Sequence, residues 1–141
     1  MRLYVDSSVL LRVALGERGA LGAWSRAAHL VSSELIRLEC LRTIDRARVR
    51  LALADGEVAA RRSGVLERLR GFEFVRLDAR ILERAAEPFP TSLGSLDAIH
   101  LASALLARTV QPDLRFATHD AELGLAALAM GFPVLGVRTD A

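Results

Sequence analysis

The chain has 141 residues, 52% of them hydrophobic and 26% charged, with a formal net charge of +2; it is long enough to bury a core without staples and too apolar to stay disordered. Its 19 basic residues are all arginine, which excludes a Walker A phosphate loop and lysine Schiff-base chemistry. A lone cysteine, Cys40, excludes an intramolecular disulfide, and no apolar run reaches the length of a membrane span.

No signal-peptide pattern opens the chain, so the expectation is one domain over residues 1–141, in the cytoplasm. RLYVD (2–6) reads as a short buried strand and SSVLLRVAL as the helix after it. GALGAWSRAA (19–28) predicts a second helical stretch, HLVS (29–32) a strand, and two long helices follow, over about 33–53 and 57–70. FEFVRL (72–77) has the aromatic and β-branched content of a strand. A helix at 79–86 stops before Pro88, and a loop leads to a helix at 95–108. LRFATHD (114–120) predicts a strand, AELGLAALAM a helix and PVLGV (133–137) a last strand. Strands alternating with helices predict an α/β fold, a mostly parallel sheet covered on both faces. In such sheets ligands gather beyond the carboxyl ends of the strands, where strand order reverses.

Three acids stand at such junctions. Asp6 ends the first strand in YVDSS, Asp120 ends the strand in FATHD, and Asp97 opens the helix in SLDAIHLASALL. Each is also a residue type that caps a helix start or favours its dipole, so two readings stand for each one alone. Glu39 is different. It lies mid-helix in SSELIRLECLRTI, too far in to cap, on a face shared with Leu35, Ile36, Cys40, Thr43 and Ala47. An unpaired carboxylate there is costly, so it requires a partner, either an arginine or a bound cation. Glu34 competes for the role, but a first-turn acid is ordinary.

Four converging oxygen donors suit Mg2+ or Mn2+ and phosphoryl chemistry. His29, His100 and His119 have no zinc-like spacing and no cysteine pair accompanies them.

These segments, in this order, resemble the PIN-domain nucleases, and among them the VapC toxins of bacterial toxin–antitoxin pairs. YVDSSVLLR is similar to the family's opening strand with its first acid, SSELIRLECLRT to the helix carrying the second, SLDAIHLASAL to the third and FATHDAELGLAALAMGFPVL to the closing element with the fourth. The resemblance implies a three-layer α/β/α sandwich in which Asp6, Glu39, Asp97 and Asp120 form an Mg2+/Mn2+ site supported by the hydroxyls of Ser8 and Thr118. It implies an endoribonuclease that hydrolyses RNA, such as transfer RNA, leaving a 5′-phosphate and a 3′-hydroxyl. It also implies a homodimer, silenced by a VapB-type antitoxin.

Other residues carry paired readings. Arginines 42, 46, 48, 50, 61, 62, 68 and 70 form either an RNA-facing stripe or a solvated face paired with Asp45, Glu57 and Glu67. His100 either orients Asp97 or touches substrate, or is a hydrogen-bonded neighbour of the site. Cys40 reads as a small buried hydrophobe. Trp24, Leu38 and Leu41 fit a dimer or antitoxin surface, or core packing. A phosphatase or phospho-receiver domain would need a lysine. A DNA nuclease, or a non-catalytic module whose acids are caps, remain as alternatives.

Overall fold

The computed structural model describes residues 1–138. In β1 (Arg2–Val5), Leu3, Tyr4 and Val5 are fully buried, as expected of a strand covered on both faces. Leu3 and Val5 pack into one core with α1 (Ser7–Ala14), α2 (Leu35–Arg50) and α3 (Asp55–Leu69). Tyr4 points the opposite way, into a second core with α5 (Ser95–Val110) and α6 (Ala121–Ala129). This period-two alternation separates two helical layers with the sheet between them. The helix α4 (Ala79–Ala86) packs on α5.

The remaining strands are β2 (His29–Ser33), β3 (Phe72–Val75), β4 (Arg115–Ala117) and β5 (Val134–Leu135). Their order is β3-β2-β1-β4-β5, with every neighbouring pair parallel. The chain therefore winds outwards from β1 in one direction, then crosses back to continue from its other side. The reversal falls between β1 and β4. The expected α/β/α sandwich is the fold observed. Among the described residues, no helix is long and apolar enough to cross a membrane.

Several boundaries differ from the sequence reading. GALGAWSRAA forms only a 3-10 turn over Gly22–Arg26, because Gly19, at φ +79°, and Gly22 interrupt helical propagation. The strand expected at 114–120 keeps only three residues, since Thr118 and Asp120 turn their polar groups to local partners. The strand expected at 133–137 is cut to two by Gly136, at φ +98°.

Candidate active site

The site is built first from the two strands that flank the reversal. Val5 lies opposite Ala117, and the Asp6 amide donates to the Ala117 carbonyl at 3.2 Å. Asp6 follows β1 directly and is buried, with 4% exposure. Its Oδ1 accepts from Ser8 Oγ at 2.6 Å and from the Val9 amide at 3.2 Å, while Oδ2 accepts from Thr118 Oγ1 at 2.5 Å. The same hydroxyls brace the β4 loop. Thr118 Oγ1 accepts from the Asp120 amide at 3.0 Å, and Ser8 Oγ accepts from the His119 amide at 2.9 Å. Ser8 and Thr118 thus tie the first acid to the His119 and Asp120 backbone. Burial pushes the Asp6 carboxyl above the usual range, and the Ser8 and Thr118 hydrogen bonds work against that rise.

Asp6 and Asp120 are also helix caps, the second accepting from the Leu123 amide at 3.0 Å. Capping alone does not mark the site, because Asp78 caps α4 in the same manner without joining the acid group. Glu39 and Asp97 do not cap.

Glu39 reaches the site from α2. Its Oε1 lies 2.5 Å from His100 Nε2, and His100 Nδ1 lies 2.8 Å from the Tyr4 hydroxyl. That hydroxyl accepts from the Ser33 amide at 3.1 Å, and burial pushes its pKa far up, so it keeps its proton. Because a carboxylate can only accept, the contact with Glu39 is an N–H bond donated by His100 Nε2. The side-chain partner of Glu39 is a histidine in place of the arginine the sequence offered, and its carboxylate keeps a second oxygen for a cation. His100 is bonded to Glu39 and Tyr4 and is fully buried. Tyr4 escaped sequence reading altogether; the one available signal was a single aromatic hydroxyl in an otherwise aliphatic strand. Glu34 is engaged elsewhere, accepting from the Leu77 amide at 3.0 Å.

Asp97 lies in the first turn of α5, whose N-cap, Gly94, supplies no side-chain bond. Its carboxyl is pushed up to about 6, first by burial, then by the charges of Asp120 and Asp6 against an opposing pull from His100, with Glu39 adding further repulsion. Asp97 therefore feels the charges of the other three acids, and no arginine is among the groups that offset them. Among the described residues, no three His, Cys, Asp or Glu side chains are drawn tightly enough to make a ready-made metal cage. The donor set itself fits a hard divalent cation: carboxylates, three of which raise the pKa of the fourth by their charge.

Nearby groups resolve differently. Cys40 is buried, and its thiol is pushed up to about 12 by burial and then by the charges of Glu39 and Asp6, so it stays inert. Leu41 is buried in the core, and Trp24 packs on Phe72 at 6.0 Å; only Leu38, 59% exposed, remains for a surface role. Arg42 pairs with Asp45 at 2.8 Å, Arg48 with Asp55 at 2.9 Å and Arg70 with Glu67 at 3.7 Å, so part of the basic surface is a solvated, self-paired face.

The sequence matches the PIN domain family over residues 3–127. It is 35% identical over 137 residues to Ribonuclease VapC46 of Mycobacterium tuberculosis, covering 94% of this chain and 95% of that protein. Among solved structures, a toxin–antitoxin complex from Klebsiella pneumoniae is similar with a TM-score of 0.61 at 19% identity, covering 97% of this chain and 96% of that one. PAE2754 from Pyrobaculum aerophilum gives 0.62 at 19% identity, with 95% and 83% covered. A VapBC-5 structure from Mycobacterium tuberculosis gives 0.55 at 19% identity, with 98% of each chain covered. Four acids at the strand-order reversal of a parallel five-stranded sheet, together with these matches, place the chain in the PIN-domain family, among its VapC-type members.

Proposed function

We propose that this protein is an Mg2+- or Mn2+-dependent endoribonuclease toxin that hydrolyses transfer RNA or another structured RNA and is neutralised by a VapB-type antitoxin. The observation that carries the reading is Asp97, held half-buried against the charges of Asp120, Asp6 and Glu39, beside the hydrogen-bond chain from Asp6 through Thr118 to the Asp120 amide. The relative named as a ribonuclease supports the reaction, and the likeness to toxin–antitoxin structures supports the antitoxin. The working form is a homodimer, each copy of the chain acting as one nuclease domain.

In this proposal the four carboxylates hold the ion, which when bound supplies charge to the developing phosphodiester transition state and acidifies water. The rest falls to the chain. Three hydrogen bonds fix the plane of Asp6. His100 directs Glu39 into the crevice. Asp97, half-buried, has only the pull of His100 against three acids until a cation arrives, and exposed Asp120 closes the rim beside solvent, where substrate enters.

The test is cleavage of a total transfer-RNA pool by protein freed of antitoxin, with Mg2+, Mn2+ or EDTA, beside an equal-length DNA and Asp97→Asn. Metal-dependent cutting of RNA alone, abolished in a folded Asp97→Asn, supports the reading. The non-catalytic module is favoured only by the caps at Asp6 and Asp120. It takes over if metal fails to raise the melting temperature and Asp97→Asn lowers it.

A further inference from the structure

A site of four carboxylates repels the polyanion it is proposed to cut, and a bound ion offsets only the charge at its centre. Phosphates on either side of the cut need cations of their own. Two adjoining grooves meet this need on one flank of the site. The first is lined by Ser7, Glu39, Arg42, Thr43 and Arg46. The second is lined by Ser8, Arg12, Thr43, Arg50 and Arg61, with Glu17 as its only acid. They share Thr43, and the two residues after Asp6 are divided between them, Ser7 in the first and Ser8 in the second.

On α2, Glu39, Thr43, Arg46 and Arg50 are spaced four, three and four apart, which puts them on one helical face about 17 Å long at 1.5 Å per residue. Among the described residues, Arg12, Arg46, Arg50 and Arg61 have no ion pair, whereas Arg48, Arg70 and Arg80 elsewhere do. Of the five arginines lining the two grooves, Arg42 alone is paired, with Asp45, and the other four are free to meet phosphate.

We infer that a single RNA strand leaves the acid group along this face of α2, with its backbone phosphates held by Arg46, Arg50, Arg12 and Arg61. The inference rests on the nuclease reading above. Guanidinium groups suit it, because their planar forks bind phosphate oxygens in pairs. Thr43 supplies a neutral donor where the two grooves join.

The deciding experiment compares Arg46→Gln/Arg50→Gln/Arg61→Gln with a charge-matched control, Arg48→Gln/Arg70→Gln/Arg80→Gln, which removes paired arginines. Binding of a short unstructured single-stranded RNA is followed by fluorescence anisotropy against salt, with Ca2+ replacing Mg2+, and hydrolysis of bis(p-nitrophenyl) phosphate with Mn2+ is assayed separately. The first variant should lose about 2 from the log–log salt slope, roughly 0.7 for each lost contact to a single strand, and bind at least tenfold more weakly. The control should keep the wild-type slope, and both variants should hydrolyse the small diester as the wild type does. Equal losses in the two variants, or an unchanged slope in the first, would overturn the inference. So would retained RNA binding with loss of antitoxin binding, which would assign the arginines to a protein partner. Absence of wild-type diester hydrolysis counts against the nuclease reading alone, since the salt slopes still decide the RNA path.

Discussion

Glu39 on α2 and His100 on α5 meet at 2.5 Å, although the two helices lie in opposite layers of the sandwich. The contact runs past the carboxyl end of β1 and is backed by Tyr4, so one residue from each layer and one from the sheet fix the direction of a single carboxylate. A histidine held in this way would act on an ion at Glu39 only through that carboxylate, as a positioning residue.

Replacing His100 by Ala should therefore weaken Mn2+ affinity roughly 10–100-fold, the usual cost of losing a group that orients a metal ligand. His100→Gln, which can still donate to Glu39, should recover part of it. Tyr4→Phe should cost about 1–3 kcal/mol in stability, because the buried Ser33 amide and His100 Nδ1 lose their partner. Calorimetric metal titration and denaturant unfolding separate the two effects. Unchanged metal affinity in His100→Ala would leave the histidine a packing residue.

The raised Asp97 carboxyl makes stability depend on pH in a defined direction. The folded chain binds this proton more tightly than the unfolded chain, with the carboxyl pushed from 3.8 to about 6. Its contribution without metal is complete below about pH 4 and is lost as pH rises through 6. The metal-free melting temperature should accordingly fall between about pH 4 and 6 and level off above that, and Asp97→Asn should flatten that fall and raise melting at pH 7.5 by roughly 2–5 °C. Mn2+ should stabilise the wild type more at pH 7.5 than at 5.5, since protons compete for the same oxygens. Differential scanning fluorimetry across pH reads all three.

Thr118 both donates to Asp6 and accepts from the Asp120 amide. Thr118→Val keeps the shape but removes both bonds in a buried place, at a cost of about 1–3 kcal/mol. It should also lose most RNA cleavage at limiting Mn2+. Thr118→Ser keeps the hydroxyl and should retain activity with only slight destabilisation. Equal damage from both variants would locate the effect in the lost methyl group.

Gly136 is needed for a close approach as well as for its φ of +98°. A Cβ there would stand 2.4 Å from the Thr118 carbonyl and 3.2 Å from His119 Nδ1, against the loop that carries the fourth acid. Gly136→Ala should destabilise by roughly 1–3 kcal/mol and loosen metal binding through Asp120. Thermal unfolding and Mn2+ titration of the variant check both parts.

The alternating strand and helix segments, the parallel sheet and the placement of Asp6, Asp97 and Asp120 at element junctions are legible along the chain, because hydrophobic period and capping chemistry are local properties. Glu39 also declares itself locally, as a carboxylate on an apolar helical face. Its partner does not. His100 is 61 residues away, and nothing in its own neighbourhood says which acid it faces. The same holds for Tyr4, for the double use of Thr118, and for which arginines are paired and which are left beside the crevice. Leu38 and Leu41, three apart on one helix, read alike in sequence, yet one is 59% exposed and the other buried. Local order follows from residues within a few positions of one another; hydrogen-bond partners, mutual repulsion and exposure depend on which elements the fold brings together, and only the tertiary structure decides those.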